Sequence, residues 1–120
     1  ASHHVVALLG DSCFFHSEVN ALAPLAQRRP ALTAIVLDNG STALTGGQAH
    51  PGSPYDVRRQ AQAGIPIEQV AAGYGLPAEI IAPDDRAALQ ALFENALADP
   101  GPRLIVVRGP CPRYQEEHPA

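Results

Sequence analysis

Two short polar motifs have the residue types of a cation site, and each directly follows an apolar run. Asp11 comes one residue after the run 5–9, and the pair Asp38-Asn39 comes directly after the run 32–37. Carboxylate and amide oxygens suit a hard cation such as Mg²⁺, together with a carbonyl and the oxygens of a bound phosphate. One carboxylate beside one neutral amide leaves the ion with positive charge for a diphosphate. We therefore predict that Asp11 and Asn39 hold Mg²⁺ against a phosphorylated ligand.

These motifs meet only if a parallel sheet brings the ends of their strands together. Four apolar runs predict strands, the first of them buried on both faces, at residues 5–9, 32–37, 79–82 and 104–107. Apolar residues at helical spacing predict helices between the strands, over residues 17–29 and 67–72 and from residue 86 through residue 97. The alternation predicts right-handed βαβ crossovers and a three-layer α/β/α fold with a parallel sheet. Ligands of such sheets bind beyond the carboxyl ends of the strands, where both motifs lie.

A long segment without periodicity leaves the same edge of the predicted sheet. Residues 40–64 are rich in Gly, Pro, Ser and Gln, and an irregular loop of this length in a small domain is usually functional or disordered. The Pro-rich tail 109–120 is predicted to be extended. The length of 120 residues predicts one domain, 1–120.

Composition excludes several classes of function. All eight basic residues are Arg, so a P-loop lysine and a pyridoxal-phosphate lysine are both ruled out. The net charge of −4 and the scattered arginines argue against nucleic acid or a membrane surface as partner. Two cysteines are too few to ligate an iron–sulfur cluster or to build a disulfide framework. No transmembrane run or leader pattern occurs, so a cytoplasmic location is the expectation.

The sequence around the two motifs resembles that of a known family. Residues 10–17 read Gly-Asp-Ser-Cys-Phe-Phe-His-Ser, and residues 37–52 read Leu-Asp-Asn-Gly-Ser-Thr-Ala-Leu-Thr-Gly-Gly-Gln-Ala-His-Pro-Gly. Together they resemble the thiamine diphosphate (TPP) binding domain of TPP enzymes, and among these the indolepyruvate ferredoxin oxidoreductases. The similarity extends from about residue 5 to residue 111.

The resemblance implies a role for each matching position. Asp11 and Asn39 would bind Mg²⁺ through their side chains, and the carbonyl of Ser41 would be the third protein ligand. The residues against the diphosphate would be Gly10, Ser12 and Thr42. The residues lining the active site, near the thiazolium ring or a small 2-oxoacid substrate, would be His16, Gln48 and His50.

The resemblance also implies that this chain forms only half of an active site. In the family a glutamate from a separate pyrimidine-binding domain activates the cofactor, and no residue of this chain is a candidate for it. We therefore expect a subunit or domain of a 2-oxoacid decarboxylase or oxidoreductase, active only with a pyrimidine-binding partner in a homo- or hetero-oligomer.

Two other interpretations stay open. Gly-Asp-Ser after an apolar strand also begins the GDSL-type esterases, in which Ser12 would be the nucleophile. The late Asp-x-x-His of that class is absent here, because Gln115 stands three positions before His118. The third interpretation is a non-catalytic α/β subunit that kept the fold and lost turnover.

Overall fold

Parallel strands form one sheet in the part of the chain that the structure, a computed structural model, describes, residues 3–114. The strands are β1 (Val5–Gly10), β2 (Leu32–Asp38), β3 (Ala78–Ile81) and β4 (Arg103–Arg108), in the spatial order β1-β2-β4-β3. The helices are α1 (Asp11–His16), α2 (Leu22–Arg28), α3 (Ile67–Gly73) and α4 (Arg86–Ala98), with 3₁₀ turns at Glu18–Ala21 and Ala43–Thr45. All four predicted strands therefore exist, with ends shifted by a residue or two.

Helices cover both faces of the sheet. On one face α1, α2 and α3 bury their apolar side chains against β2 and β4, in a core of Phe14, Leu22, Val36, Ile67, Ala71, Leu76, Leu104 and Val106. On the other face α4 places Phe93, Ala96 and Leu97 over Val6, Thr33 and Ile35. The predicted three-layer α/β/α arrangement is confirmed. None of the helices described between residues 3 and 114 has the length and apolar content needed to cross a bilayer.

The helix predicted over residues 17–29 is wrong in its start and in its continuity. Helix α1 begins at Asp11, immediately after β1, and ends at His16. Ser17, at φ −146° and ψ −31°, interrupts the helical path before α2 begins at Leu22. Phe14, before the break, and Leu22, after it, are both buried in the core.

Strand β1 is less buried than its apolar sequence predicts. Val5, Val6 and Leu8 keep 52%, 50% and 68% of their surface exposed in this chain. The reason is position, because β1 is an edge strand, whereas the fully buried Thr33 and Ile105 belong to the inner strands β2 and β4. The prediction of burial on both faces is wrong for β1.

Two segments predicted to be irregular have local order. Within 40–64, antiparallel bridges join Thr42 to Gln48 and Tyr55 to Ala61. The tail predicted to be extended over 109–120 contains a turn instead, in which the Tyr114 N–H donates to the Cys111 carbonyl. The turn returns the Tyr114 ring to the surface of Gly47. Residues 115–120, which include Gln115 and His118, lie outside the described residues.

Candidate functional site

Asp11 is buried at the carboxyl end of β1, with both carboxylate oxygens hydrogen bonded. Its Oδ1 accepts from the Ser12 N–H at 2.9 Å, and its Oδ2 accepts from the Gly40 N–H at 2.8 Å. The same Oδ2 lies 2.8 Å from Nε2 of His50. Only 3% of the residue is exposed. Three donors therefore fix the orientation of this buried carboxylate.

Asn39 lies beside Asp11 because their strands are neighbours. Strands β1 and β2 pair in parallel with Gly10 opposite Leu37, so the residues that follow both strands share one edge. The chain then turns through Gly40, at φ +75°, and the Asn39 Oδ1 accepts from the Ser41 N–H at 3.0 Å. The Gly40 N–H, donated to Asp11, joins the two motifs directly.

His50 completes the surroundings of Asp11. The Gly52 N–H donates to Nδ1 of His50 at 3.0 Å, so Nε2 carries the ring proton and donates it to Asp11. The ring stacks on Phe15 with centroids 5.5 Å apart, and only 6% of the side chain is exposed. His50, named from the sequence as an active-site residue, thus orients the carboxylate predicted to bind the metal.

Two neighbouring carboxyl groups in this region have opposite pKa shifts. Burial alone would raise the pKa of Asp11, but the hydrogen bonds from His50 and from the Gly40 N–H bring it below the usual value. Burial raises the pKa of Asp38, against the opposing effect of Arg108, and the nearby charge of Asp11 raises it further. The Asp11 carboxyl therefore loses its proton at a lower pH than the Asp38 carboxyl.

The residues predicted to contact a diphosphate lie together. The hydroxyls of Ser12 and Thr42 are 3.0 Å apart. A side chain at Gly10 would meet no atom within 4 Å, so glycine leaves open space there. Ser41 is 2% exposed, and its Oγ has no hydrogen-bond partner among the described residues. The Ser41 hydroxyl is thus a buried polar group with no partner in the described chain, one residue beyond the turn at Gly40.

Two further predicted residues face solvent. His16 is exposed at the end of α1. Gln48 is also exposed, and its amide group bonds to Thr45, with Oε1 accepting from Oγ1 at 2.7 Å and Nε2 donating to the carbonyl at 2.9 Å. Neither side chain lines the large cavity beside Asn39.

Sequence reasoning missed an ion-pair network at the same edge. Nε of Arg108 donates to Asp38 at 2.7 Å, and its two Nη atoms donate to the Glu68 carboxylate at 3.2 and 2.6 Å. Arg108 is the last residue of β4, and Glu68 lies in the first turn of α3. The signal that identified Asp11, a polar residue directly after an apolar strand, would also have identified Arg108.

A cavity of about 510 Å³ opens beside Asn39. Its polar wall comes from Asp38, Asn39, Glu68 and Arg108. Its remaining wall is mostly apolar or glycine, from Phe15, Gly40, Gly52, Pro54, Gly64, Ile65, Pro66, Ile67, Gly109 and Pro110. Both the volume and the mixture of a few polar groups with apolar walls are typical of small-molecule sites.

Comparison with known proteins identifies the family. The family model described as thiamine pyrophosphate enzyme, C-terminal TPP binding domain, matches residues 1–107. The chain belongs to this family. It is 32% identical over 111 residues to the indolepyruvate oxidoreductase subunit IorA of Methanothermobacter marburgensis, and 35% identical over 115 residues to the same subunit of Thermococcus kodakarensis. Each alignment covers 92% of this chain but only 18% and 17% of the relative, so the chain spans less than a fifth of these proteins.

Solved structures of TPP enzymes share the fold. A thiamine diphosphate-dependent 4-hydroxybenzoylformate decarboxylase from Rhodococcus jostii aligns at TM-score 0.63 and 31% identity, over 90% of this chain and 20% of that one. A 2-oxoglutarate:ferredoxin oxidoreductase from Magnetococcus marinus aligns at TM-score 0.76 over 88% and 40%, with 18% identity. Thiamine diphosphate is thus the cofactor of the family, and the resemblance found from the two motifs is confirmed.

Proposed function

We propose that this chain binds thiamine diphosphate through Mg²⁺ at the carboxyl ends of β1 and β2, as part of a 2-oxoacid oxidoreductase or decarboxylase. Asp11 and Asn39 hold the ion through their side chains, and the Ser41 carbonyl is the third protein ligand. The observation that carries the proposal is the bond from the Gly40 N–H to the buried Asp11 carboxylate, which joins the two motifs at one edge. Family membership supports the cofactor.

The residues of this chain would bind the cofactor and hold it in position, whereas the cofactor would supply the reactive carbon and the electron sink for decarboxylation. His50 fixes the orientation of Asp11, as residues behind a metal ligand commonly do. Gly10 would leave space for the diphosphate. The hydroxyls of Ser12 and Thr42 bond to each other, which would leave one hydroxyl hydrogen of the pair to donate to the diphosphate oxygens. We keep His16 and Gln48 as active-site residues on the family's pattern, with their place near substrate depending on the partner domain.

The cavity beside Asn39 is proposed as the substrate side of the site. Phe15, Ile65 and Ile67 contribute an apolar wall that suits a 2-oxoacid with a large apolar or aromatic substituent. Two of the similar proteins carry aromatic 2-oxoacids in their names, indolepyruvate and 4-hydroxybenzoylformate. Both belong to the substrate class that we propose here.

A second domain is needed to complete the catalyst. We propose that a pyrimidine-binding domain supplies the activating glutamate, either from the same longer chain or from a partner subunit in an oligomer. This chain spans only 18% of the relative from Methanothermobacter marburgensis, which supports a further domain in the same longer chain. That relative is named as a subunit, which supports a partner chain. The cytoplasm is the proposed location.

Calorimetry of the complete protein, isolated with any chains that accompany it, tests the proposal. TPP should bind with Mg²⁺ present and lose most of its affinity when a chelator removes the ion. Asp11→Ala should abolish the Mg²⁺-dependent part of binding, because the ion loses its carboxylate ligand. Asp84→Ala, which removes a carboxylate from the exposed start of α4, is the matched control and should bind as the parent does. Equal affinity with and without Mg²⁺ would contradict the proposed site.

A further inference from the structure

Arg108 joins three elements at the proposed cation site. Its guanidinium forms a two-bonded fork with Glu68 of α3 and a third bond with Asp38 of β2. Arg108 and Asp38 are also opposite each other in the pairing of β2 with β4. The side chain therefore has a fixed position, held by two carboxylates and by the sheet.

The network reaches Asp11 through one backbone group. The Gly40 N–H donates to Asp11 at 2.8 Å and lies 3.3 Å from Oδ1 of Asp38. Two carboxylates thus face the same N–H, and Asp38 directly precedes Asn39. Asp38 is close enough to become a second anionic ligand, but its Oδ2 is bonded to Arg108.

We propose that Arg108 sets the charge of the cation site by keeping Asp38 turned toward itself, so that the ion meets one carboxylate and keeps positive charge for the diphosphate. The inference rests on the proposed function. Without Arg108, Asp38 and Glu68 would lose the cation that they share, at an edge where Asp11 is a third carboxylate. The bare ion would then bind more tightly, and the diphosphate would bind the ion-loaded site more weakly.

These opposite signs separate a charge-setting role from a purely structural one. A residue that only tied α3 to the sheet would, when removed, weaken the site for the ion and for the diphosphate alike. Loss of one unit of positive charge close to the site changes each affinity by roughly tenfold at the effective dielectric near a protein surface. The direction of the two changes decides between the roles.

The experiment measures two affinities by calorimetry in the complete protein. One is the affinity for Mg²⁺ without TPP, and the other is the affinity for TPP at saturating Mg²⁺. In Arg108→Gln we expect the first to rise and the second to fall, each by roughly tenfold. In Arg108→Lys, which keeps the charge but loses the two-bonded fork, both changes should be smaller than in Arg108→Gln.

Two further variants complete the test. Arg108→Gln combined with Asp38→Asn removes one charge of each sign and should return both affinities toward the parent. Arg103→Gln is the matched control, because Arg103 pairs with Asp99 and Glu79 at the opposite end of β4 and should leave both affinities unchanged. If Arg108→Gln does not fold, Arg108→Lys still gives the comparison, because a looser hold on Asp38 should change the two affinities in opposite directions, whereas a purely structural role would lower both.

A fall in both affinities in Arg108→Gln, or a double variant no better than the single one, would overturn the inference. Asp11→Ala separates this failure from failure of the proposed function. If Asp11→Ala removes Mg²⁺ binding while Arg108→Gln changes nothing, only the role of Arg108 is wrong. If Asp11→Ala changes neither affinity, the cation site itself is wrong.

Discussion

The imidazole of His50 donates to the carboxylate of Asp11 across 2.8 Å, joining residues that are 39 positions apart in sequence. The bond attaches the loop after β2 to the start of α1. It also means that the residue proposed to bind the cation already has a fixed direction in the protein. Stability and ligand binding are therefore linked at this pair.

Replacing His50 by phenylalanine should destabilise the fold. The new ring keeps the stacking on Phe15 but removes one of the three donors to the buried Asp11 carboxylate. Loss of a partner by a buried polar group costs about 1–3 kcal/mol. Chemical denaturation should show this fall in the free energy of unfolding. His16→Phe, on the exposed end of α1, is the control, and an equal effect of both substitutions would contradict the role given to His50.

Two glycines should respond in opposite ways to alanine. A Cβ at Gly64 would lie 2.2 Å from the Gly52 carbonyl oxygen, so two backbone segments of the loop would have to separate. We expect Gly64→Ala to lower the free energy of unfolding by about 1–3 kcal/mol. Gly73, at the end of α3, has no atom within 4 Å of an added Cβ, and Gly73→Ala should be neutral or stabilise by up to about 1 kcal/mol. Equal melting temperatures of the two variants would contradict the close approach of Gly64 to the Gly52 backbone.

Acid should remove the contribution of the Glu68–Arg108 pair. The hydrogen bond from Arg108 holds the pKa of Glu68 below its ordinary value of 4.5. The folded protein thus takes up this proton less readily than the unfolded chain, so the stabilisation is complete above pH 4.5 and is lost as pH falls through the lower folded-state value. The parent should exceed Glu68→Gln in stability near neutral pH, and the gap should close on acidification. Glu94→Gln, on exposed α4, is the control, and a gap that persisted at low pH would contradict the pairing.

Ser12 should not react as an esterase nucleophile. Its hydroxyl lies against the Thr42 hydroxyl, while both ring nitrogens of His50 are engaged by Asp11 and the Gly52 N–H. No base is therefore provided by His50, and an unactivated serine is a weak nucleophile. A fluorophosphonate probe should leave Ser12 unlabelled in mass spectrometry while labelling an added serine esterase. Labelling that disappears in Ser12→Ala would support the esterase interpretation.

The sheet could be read from the sequence because apolar runs and their polar ends follow one repeating pattern. The ends of β1 and β2 are marked by Asp11 and Asn39, and strand adjacency then brings them together without knowledge of side-chain positions. Helix α4 could be predicted equally well from the sequence. In the structure Asp85 caps it, and its side chain accepts from the Ala88 N–H.

Long-range contacts explain what the sequence did not reveal. The break at Ser17 separates Phe14 from Leu22, and the burial of both in one core is a tertiary contact that local helical spacing does not report. The His50–Asp11 bond and the fork between Glu68 and Arg108 join residues 39 and 40 positions apart. Such contacts are set by how the loop and α3 pack on the sheet, so propensity and spacing carry no signal for them.

The central claim is that a cation at Asp11 and Asn39 anchors the diphosphate, and a crystal structure with TPP and Mn²⁺ in place of Mg²⁺ tests it most directly. The anomalous signal of Mn²⁺ locates the ion independently of the protein atoms. We predict one peak bonded to the Asp11 carboxylate, the Asn39 amide oxygen, the Ser41 carbonyl and two diphosphate oxygens, at about 2.1–2.2 Å. A peak bonded to Asp38 or Glu68 instead, or TPP bound with no peak between its diphosphate and Asp11, would contradict the account.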